Sequence, residues 1–324
     1  MTNINQTLSH DLCTGCGVCE GACPFHAIST IVKAGRFLPI IDDTKCKNDG
    51  GCHRCMDACP GVGIDLMRIS KELFTDNELK EDKMVGKYLK CFTGHSNNEY
   101  IRYHCASGGM ISQFLVFLLE KYIDGAFVTA FDPANELLIS SYIATTTEDI
   151  LKAKGSKYAP VSLHNAVAGI KAASGTKYVI VGLPCHIQGF RKLEAIDRKF
   201  RDKVLGYFAI YCSSGRTFYL TEHVFKERGI KKENLSYFAY RDEGCLGSMV
   251  AKHDAVLGIP TVTLKLFFIK DMKYIKNDIR VTIIHSEVSL SLVDVCSVLT
   301  IMVNWAMSAS ETFMWSRIFR IPLG

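Results

Sequence analysis

Cys13, Cys16, Cys19 and Cys23, followed by Pro24, read C-x2-C-x2-C-x3-C-P, and Cys46, Cys52, Cys55 and Cys59, followed by Pro60, read C-x5-C-x2-C-x3-C-P. A loop with two residues between cysteines lets three thiolates close over one face of a 4Fe–4S cubane, while the fourth, beside proline, reaches a neighbouring cluster. This rule assigns Cys13, Cys16, Cys19 and Cys59 to one 4Fe–4S cluster and Cys46, Cys52, Cys55 and Cys23 to another. Zinc also takes four cysteines in paired C-x2-C runs. Two triplets, each trailed by x3-C-P, do not divide naturally into such tetrahedral pairs. Disulfides need an oxidising compartment, and the opening MTNINQTLSH has neither a basic start nor an apolar signal core, so the expected location is the cytoplasm. The second motif has five residues, Lys47 to Gly51, where the first has two, which leaves the cluster type at that site open.

Such a module needs a body to serve. The 324 residues, 48% of them hydrophobic, are enough for a ferredoxin-sized unit plus one or two further domains. The net charge of +5 is spread over 38 basic and 33 acidic residues, without a Lys/Arg run or interleaved aromatics, so a nucleic-acid groove is not expected. Of the 14 cysteines, the six outside the motifs (Cys91, Cys105, Cys185, Cys212, Cys245 and Cys296) are scattered singly and read mostly as buried small hydrophobes.

The pattern changes along the chain. Residues 1–68 form the cluster module, and the charged stretch at 69–90 reads as a linker. Beyond it, apolar runs at 125–131, 137–145, 177–183 and 204–212 are strand candidates, and Met110 to Ile123 carries more than one apolar stripe of a core helix. The expected fold class is α+β: a two-cluster ferredoxin-like module followed by an α/β domain with a mixed sheet over residues 91–250.

Two strand-to-helix turns carry further chemistry. Ser107-Gly108-Gly109 precedes the long helix, so its backbone N–H groups can approach an anion such as a phosphate. A plain turn or cap fits the same residues. At Gly182, Pro184 and Cys185 a buried strand passes into a helix running toward Arg191 and Lys192, at the carboxyl end where ligands of α/β sheets collect. His26, His53 and His186 have no partner pattern of metal ligands.

Together with the double cysteine motif, the blocks VGKYLKCFTGHSNNEYIRYHCASGGMISQFLVFLLEKYIDGAFV, KGSKYAPV, VIVGLPCHIQGFRKL and YFAYRDEGCLGSM resemble the coenzyme F420 hydrogenase/dehydrogenase beta-subunit family, from about Asp11 to about Ser248. The resemblance implies an oxidoreductase with an FAD site beside the clusters. It implies that Arg102, Ser107, Gly108 and Gly109 face the flavin phosphates. Gly155, Ser156, Lys157 and Tyr158, with Gly182, Pro184, Cys185 and Gln188, would border the rest of the cofactor. The implied partners are ferredoxin or a redox partner subunit on the one-electron side, and coenzyme F420 or another small-molecule acceptor on the hydride side.

After about Val250 the resemblance stops, where family members would continue into a segment with a C-x2-C pair and a G-D turn. Residues 288–307 have the length of a membrane span, but Asp294 and Asn304 lie inside it, so a membrane anchor is not expected. Back-translation of residues 293–315 with permitted codons, read one register over, yields RC-x-x-C-x-DYYGELGDVSVGDVYVV, which resembles the missing segment. The expectation is therefore a single-base insertion or deletion between roughly Val250 and Ser291, with residues 251–324 a divergent tail read out of frame.

Overall fold

The computed structural model describes residues 3–75, 79–82, 86–212, 215–244, 247–253 and 263–266. The cysteine module begins with α1 (Asn5–Ser9) and α2 (Val18–Ala22) and continues into a hairpin of β1 (Ile28–Lys33) and β2 (Arg36–Ile41). Ala34 and Gly35 at its tip both have positive φ (51° and 68°), the requirement of a two-residue type I′ turn. Helices α3 (Arg54–Asp57) and α4 (Leu66–Leu73) complete the module. The stretch expected as a linker holds the end of α4 and a small hairpin, β3 (Lys80–Asp82) with β4 (Gly86–Tyr88).

The larger part is built on a four-stranded mixed sheet. After α5 (Glu99–Tyr103) and α6 (Met110–Lys121) come β5 (Gly125–Phe131), β6 (Ile139–Ala144), α7 (Thr147–Lys152), α8 (Ala166–Ala172), β7 (Tyr178–Gly182), α9 (Pro184–Glu194), α10 (Arg198–Arg201) and β8 (Val204–Ala209). The strand order is β6-β5-β7-β8, with β5, β7 and β8 parallel and β6 antiparallel. The expected mixed sheet is therefore present, and each expected strand is found within its range. Alternation along the strands divides the core. Val128, Val179 and Phe208 face Leu115 and Leu118 of α6, while Phe127, Ile180 and Tyr207 face Ile170, Phe190 and Leu193 of α8 and α9. Helix α11 (Phe218–Glu227) then leads to β9 (Leu235–Asp242), β10 (Ser248–His253) and β11 (Thr263–Leu266), an antiparallel sheet with its own core around Phe225, Phe238 and Tyr240.

The cysteine module is fused to the sheet domain. Val18 and Ala58, both fully buried, belong to the same apolar cluster as Phe127, Ile180 and Phe190. Burial of one such side chain stabilises by about 1.5–3 kcal/mol, so the seam contributes to stability as a core does. The hairpin tip docks as well: Phe218 N–H donates to the Gly35 carbonyl at 2.9 Å, and the Phe37 and Phe218 rings meet edge-to-face at 5.5 Å. Strands β10 and β11 carry the fold past residue 250, whereas residues 267–324, including the membrane-span length at 288–307 and the back-translated segment, lie outside the described residues. Among the described residues no helix is long and apolar enough to cross a membrane.

Candidate metal centre

The eight motif cysteines surround two cavities. One, of about 330 Å³, is lined by Cys13, Cys16, Cys19 and Cys59 with Ile4, Phe37 and Pro39. The other, of about 340 Å³, is lined by Cys23, Cys46, Cys52 and Cys55 with Phe25, Ile28 and Ile41. The fourth cysteine of each motif thus lines the cavity of the other motif, the same crossed grouping that the x3-C-P spacing predicts. Local backbone explains the crossing. Cys23 and Cys59 each follow a short helical turn in extended conformation, with φ/ψ of −78°/110° and −80°/123°, which turns both residues away from their own loops. Each then enters Pro24 or Pro60, where an extended predecessor is favoured.

The sulfurs are set among apolar side chains and backbone N–H groups. Burial pushes the Cys16 thiol up to about 12 and the Cys19 thiol well above its ordinary value, the latter reinforced by Cys16 and Cys59. Cys13 and Cys55 are raised by the same desolvation, opposed by backbone N–H groups of Gly15 in one case and of Ile4 and Met56 in the other. Free thiols in such places stay protonated at neutral pH, so thiolates here require a bound positive centre. The donor set, four soft sulfurs around an apolar cavity with N–H groups aimed at sulfur, fits an iron–sulfur cluster.

The first cavity adjoins the sheet domain. Cys185 packs against the apolar cluster that contains Cys16, and after burial the neighbouring charge of Cys185 helps to raise Cys16 while that of Cys212 helps to raise Cys185. Cys185 sits in the first turn of α9, just past the carboxyl end of β7, and Cys212 lies three residues past β8. A line of sulfur therefore leads from the first cavity to the carboxyl edge of the parallel strands, where α/β sheets bind ligands. The expectation for the scattered cysteines needs correction here: Cys105 is buried and Cys185 partly so, but Cys91 and Cys212 are exposed, because both stand in loops.

The residues expected around a flavin fall into three groups, of which the third stands at this edge. In the first, Arg102 donates to the Ser107 carbonyl at 2.5 Å and the Cys105 thiol donates to the same carbonyl at 2.6 Å, which ties the loop ahead of α6. A Cβ on Gly108 would lie 2.7 Å from the Gly94 carbonyl oxygen, and one on Gly109 2.8 Å from Ile101, so both glycines are required by close packing. The α6 N-terminus has no side-chain cap, which leaves its N–H groups available to an anion.

In the second group, the Lys157 ammonium donates to the carbonyls of Ala153, Lys154 and Gly155, the last two at 3.0 and 3.1 Å, and so closes the end of α7. Desolvation, then the Lys154 charge, pushes its pKa down to about 7. Gly155 has φ of 78°, and Tyr158 packs edge-to-face on Tyr240 at 5.6 Å. Ser156 is partly buried beside them. Lys154 stands 5.6 Å over Tyr100, linking this loop to α5 and so to the first group.

In the third group, Gly182, Pro184, Cys185 and Gln188 occupy the turn from β7 into α9, with Pro184 in the first helical turn. His186 anchors this turn. Its Nδ1 accepts from Leu183 N–H at 3.0 Å, so its Nε2–H donates to the Val161 carbonyl at 3.1 Å. Burial lowers its pKa to about 4. His26 and His53 are exposed and stand apart from these groups.

Several site residues carried no signal that spacing reveals. Thr14 is an ordinary x residue of C-x2-C. The buried Asp242, which accepts from His104 Nδ1 at 2.9 Å and from the Tyr237 hydroxyl at 2.5 Å, ties α5 to β9 across the chain. Lys192, at the end of VIVGLPCHIQGFRKL, donates to the Cys59 carbonyl at 2.6 Å.

Fold and site define a redox protein class: a ferredoxin-type module seated on a mixed-sheet domain. A 4Fe-4S binding domain model matches residues 7–29. Models of the N-terminal and C-terminal parts of the coenzyme F420 hydrogenase/dehydrogenase beta subunit match residues 91–168 and 175–283, the second running past residue 250. The chain belongs to the coenzyme F420 hydrogenase/dehydrogenase beta-subunit family. It is 30% identical over 193 residues to the coenzyme F420-dependent sulfite reductase of Methanocaldococcus jannaschii, covering 59% of this chain and 26% of that protein. It is 29% identical over 145 residues to the coenzyme F420 hydrogenase subunit beta of Methanosarcina barkeri, covering 41% of this chain and 47% of that one. The chain thus spans less than half the length of both. A chain of the F420-reducing nickel–iron hydrogenase complex from Methanosarcina barkeri superimposes with a TM-score of 0.44 at 22% identity, over 57% of this chain and 63% of that one.

Proposed function

We propose that this chain is an iron–sulfur flavoprotein oxidoreductase that passes electrons between ferredoxin or a partner subunit and a hydride acceptor, coenzyme F420 or a related small molecule, in the cytoplasm. The observation that carries this reading is the packing of Cys185, at the carboxyl edge of the sheet, against the apolar cluster that contains Cys16 of the first cavity. Cys13, Cys16, Cys19 and Cys59 hold the cluster nearer that edge, and Cys46, Cys52, Cys55 and Cys23 the one nearer solvent. A flavin bound along the edge supplies the conversion between one-electron and hydride transfer. The uncapped α6 N-terminus, with Ser107, Gly108 and Gly109, would receive its phosphates, while Arg102 holds that loop in place. The Gly155–Tyr158 loop and the Gly182–Gln188 turn would flank the remainder.

The test is anaerobic reconstitution followed by iron and flavin analysis. About eight iron atoms, as two cubanes require, with one FAD and reduction of F420 or an artificial hydride acceptor is the expected result. Clusters without any flavin would sink the proposal.

The short coverage of the relatives supports a second reading, in which the chain is an electron-transfer subunit that docks a catalytic partner. An isolated chain that binds flavin but reduces no hydride acceptor would favour it. We also propose that the chain departs from the family after residue 283, where the C-terminal family match ends, through a single-base insertion or deletion between roughly Val250 and Ser291, leaving an inactive product until the frame is repaired. Sequencing of the coding DNA tests this: a gene whose actual codons give no RC-x-x-C string in the alternate frame rules it out.

A further inference from the structure

Helix α9 starts at the carboxyl edge of the sheet and ends against the cysteine module. There the Lys192 ammonium donates to the Cys59 carbonyl at 2.6 Å and to the Gly63 carbonyl at 2.8 Å. Cys59 is the one thiol that the second motif contributes to the first cavity. A cation of the sheet domain is therefore fastened to the backbone of a sulfur donor of the first cavity. The second cavity is lined by Lys47 and Arg54, both from the cysteine module itself, and Arg54 is directed to the Ala22 carbonyl at 3.4 Å and to Asp197 at 3.9 Å.

A cubane held by four thiolates is an anion and takes on further negative charge when reduced. A fixed cation beside it in a partly desolvated site favours the reduced form and raises the reduction potential. Resting on the cluster assignment above, we propose that Lys192 is a positioning residue that sets the potential of the cluster held by Cys13, Cys16, Cys19 and Cys59. By raising it, Lys192 makes this cluster, the one beside Cys185, a better electron acceptor than it would be without the charge. The sheet domain thereby adjusts the electron carrier that it adjoins.

The experiment is an anaerobic redox titration of the reconstituted full chain, followed by electron paramagnetic resonance, on the unsubstituted protein and on K192Q and K192R. Glutamine retains a donor for the two carbonyls without the charge. In K192Q one of the two cluster signals is expected to become about tenfold harder to reduce, which is about 59 mV for a one-electron couple. The other signal stays in place, and K192R restores the first. No shift, an equal shift of both signals, or a shift that K192R fails to reverse overturns the proposal. Loss of about four iron atoms in K192Q also overturns it, since Lys192 would then be a strut of the Cys59 loop. The cluster assignment fails separately, by an unsubstituted chain that takes up fewer than about eight iron atoms.

Discussion

The two cysteine cavities are nearly equal in size but differ in what surrounds them. The first is enclosed on its inner side by the sheet domain: the Cys16 carbonyl accepts from Leu163 N–H at 3.0 Å, and Val18 and Ala58 are fully buried against α8 and α9. The second opens toward solvent, with Phe25 43% exposed on its wall and, on its rim, Gly50 and Gly51, whose Cβ positions have no neighbour within 4 Å. This contrast explains the unequal motifs. The longer first loop of the second motif has open space at Gly50 and Gly51, whereas in the first motif a Cβ on Gly15 would already lie 2.8 Å from the Phe37 carbonyl oxygen of β2.

The largest difference is expected for alanine at the two glycine sites. Gly17 has φ of +81°, and a Cβ there would lie 2.3 Å from Ser162 Oγ and 2.7 Å from the His164 backbone nitrogen. The hydroxyl can swing away, but the backbone cannot. G17A combines left-handed strain with that collision and is expected to cost about 3 kcal/mol or more. The reconstituted protein would hold about four iron atoms fewer than the unsubstituted chain. Gly50 has no neighbour within 4 Å of its Cβ position. G50A is expected to stay within about 0.5 kcal/mol and keep full iron content. Equal iron loss in both variants would erase the distinction between the cavities.

A smaller effect is expected where the seam is apolar. Val18 lies against Gly189, whose Cβ position is 2.9 Å from a Val18 methyl, so the helices pack too closely there for the gap to refill easily. V18A is expected to lower stability by about 2 kcal/mol in anaerobic denaturant unfolding, through lost burial and a residual cavity. F25A, on the open wall of the second cavity, is expected to cost less than about 1 kcal/mol. The reverse order would place the rigid seam at the wrong cavity.

The sequence carried the cavities' thiol composition well because cluster ligation is written locally. Six of the eight thiols stand within short loops, and the crossing of Cys23 and Cys59 follows from x3-C-P. The central strands β5 and β7 were legible because their apolar runs are buried on both faces. The stretch at 69–90 misled because its charged composition hides a three-residue pairing, Lys80–Asp82 with Gly86–Tyr88, that depends on backbone rather than side chains. The fusion of module and sheet was not legible: Val18, Gly21 and Gly189 look like ordinary filler until α2 is packed on α8 and α9.

The subtlest contrast concerns acid. His186 backs the first cavity from inside α9 and must remain neutral, since its Nδ1 accepts from Leu183 N–H. Its folded pKa of about 4 lies below the ordinary 6.5. The unfolded chain therefore binds the proton more readily, and stability falls as pH drops below 6.5, levelling off only below about 4. At pH 5.5 the loss attributable to this one residue is about 1 kcal/mol. His53, near the second motif, lies at the surface, with Nδ1 2.8 Å from the Gly51 carbonyl and Nε2 3.7 Å from Asp57. Thermal unfolding at a series of pH values should show a shallower acid slope for H186L than for the unsubstituted chain, even though H186L starts from lower stability. A slope unchanged in H186L would mean that acid acts elsewhere, and the buried imidazole would then not mark the first cavity as the acid-sensitive side.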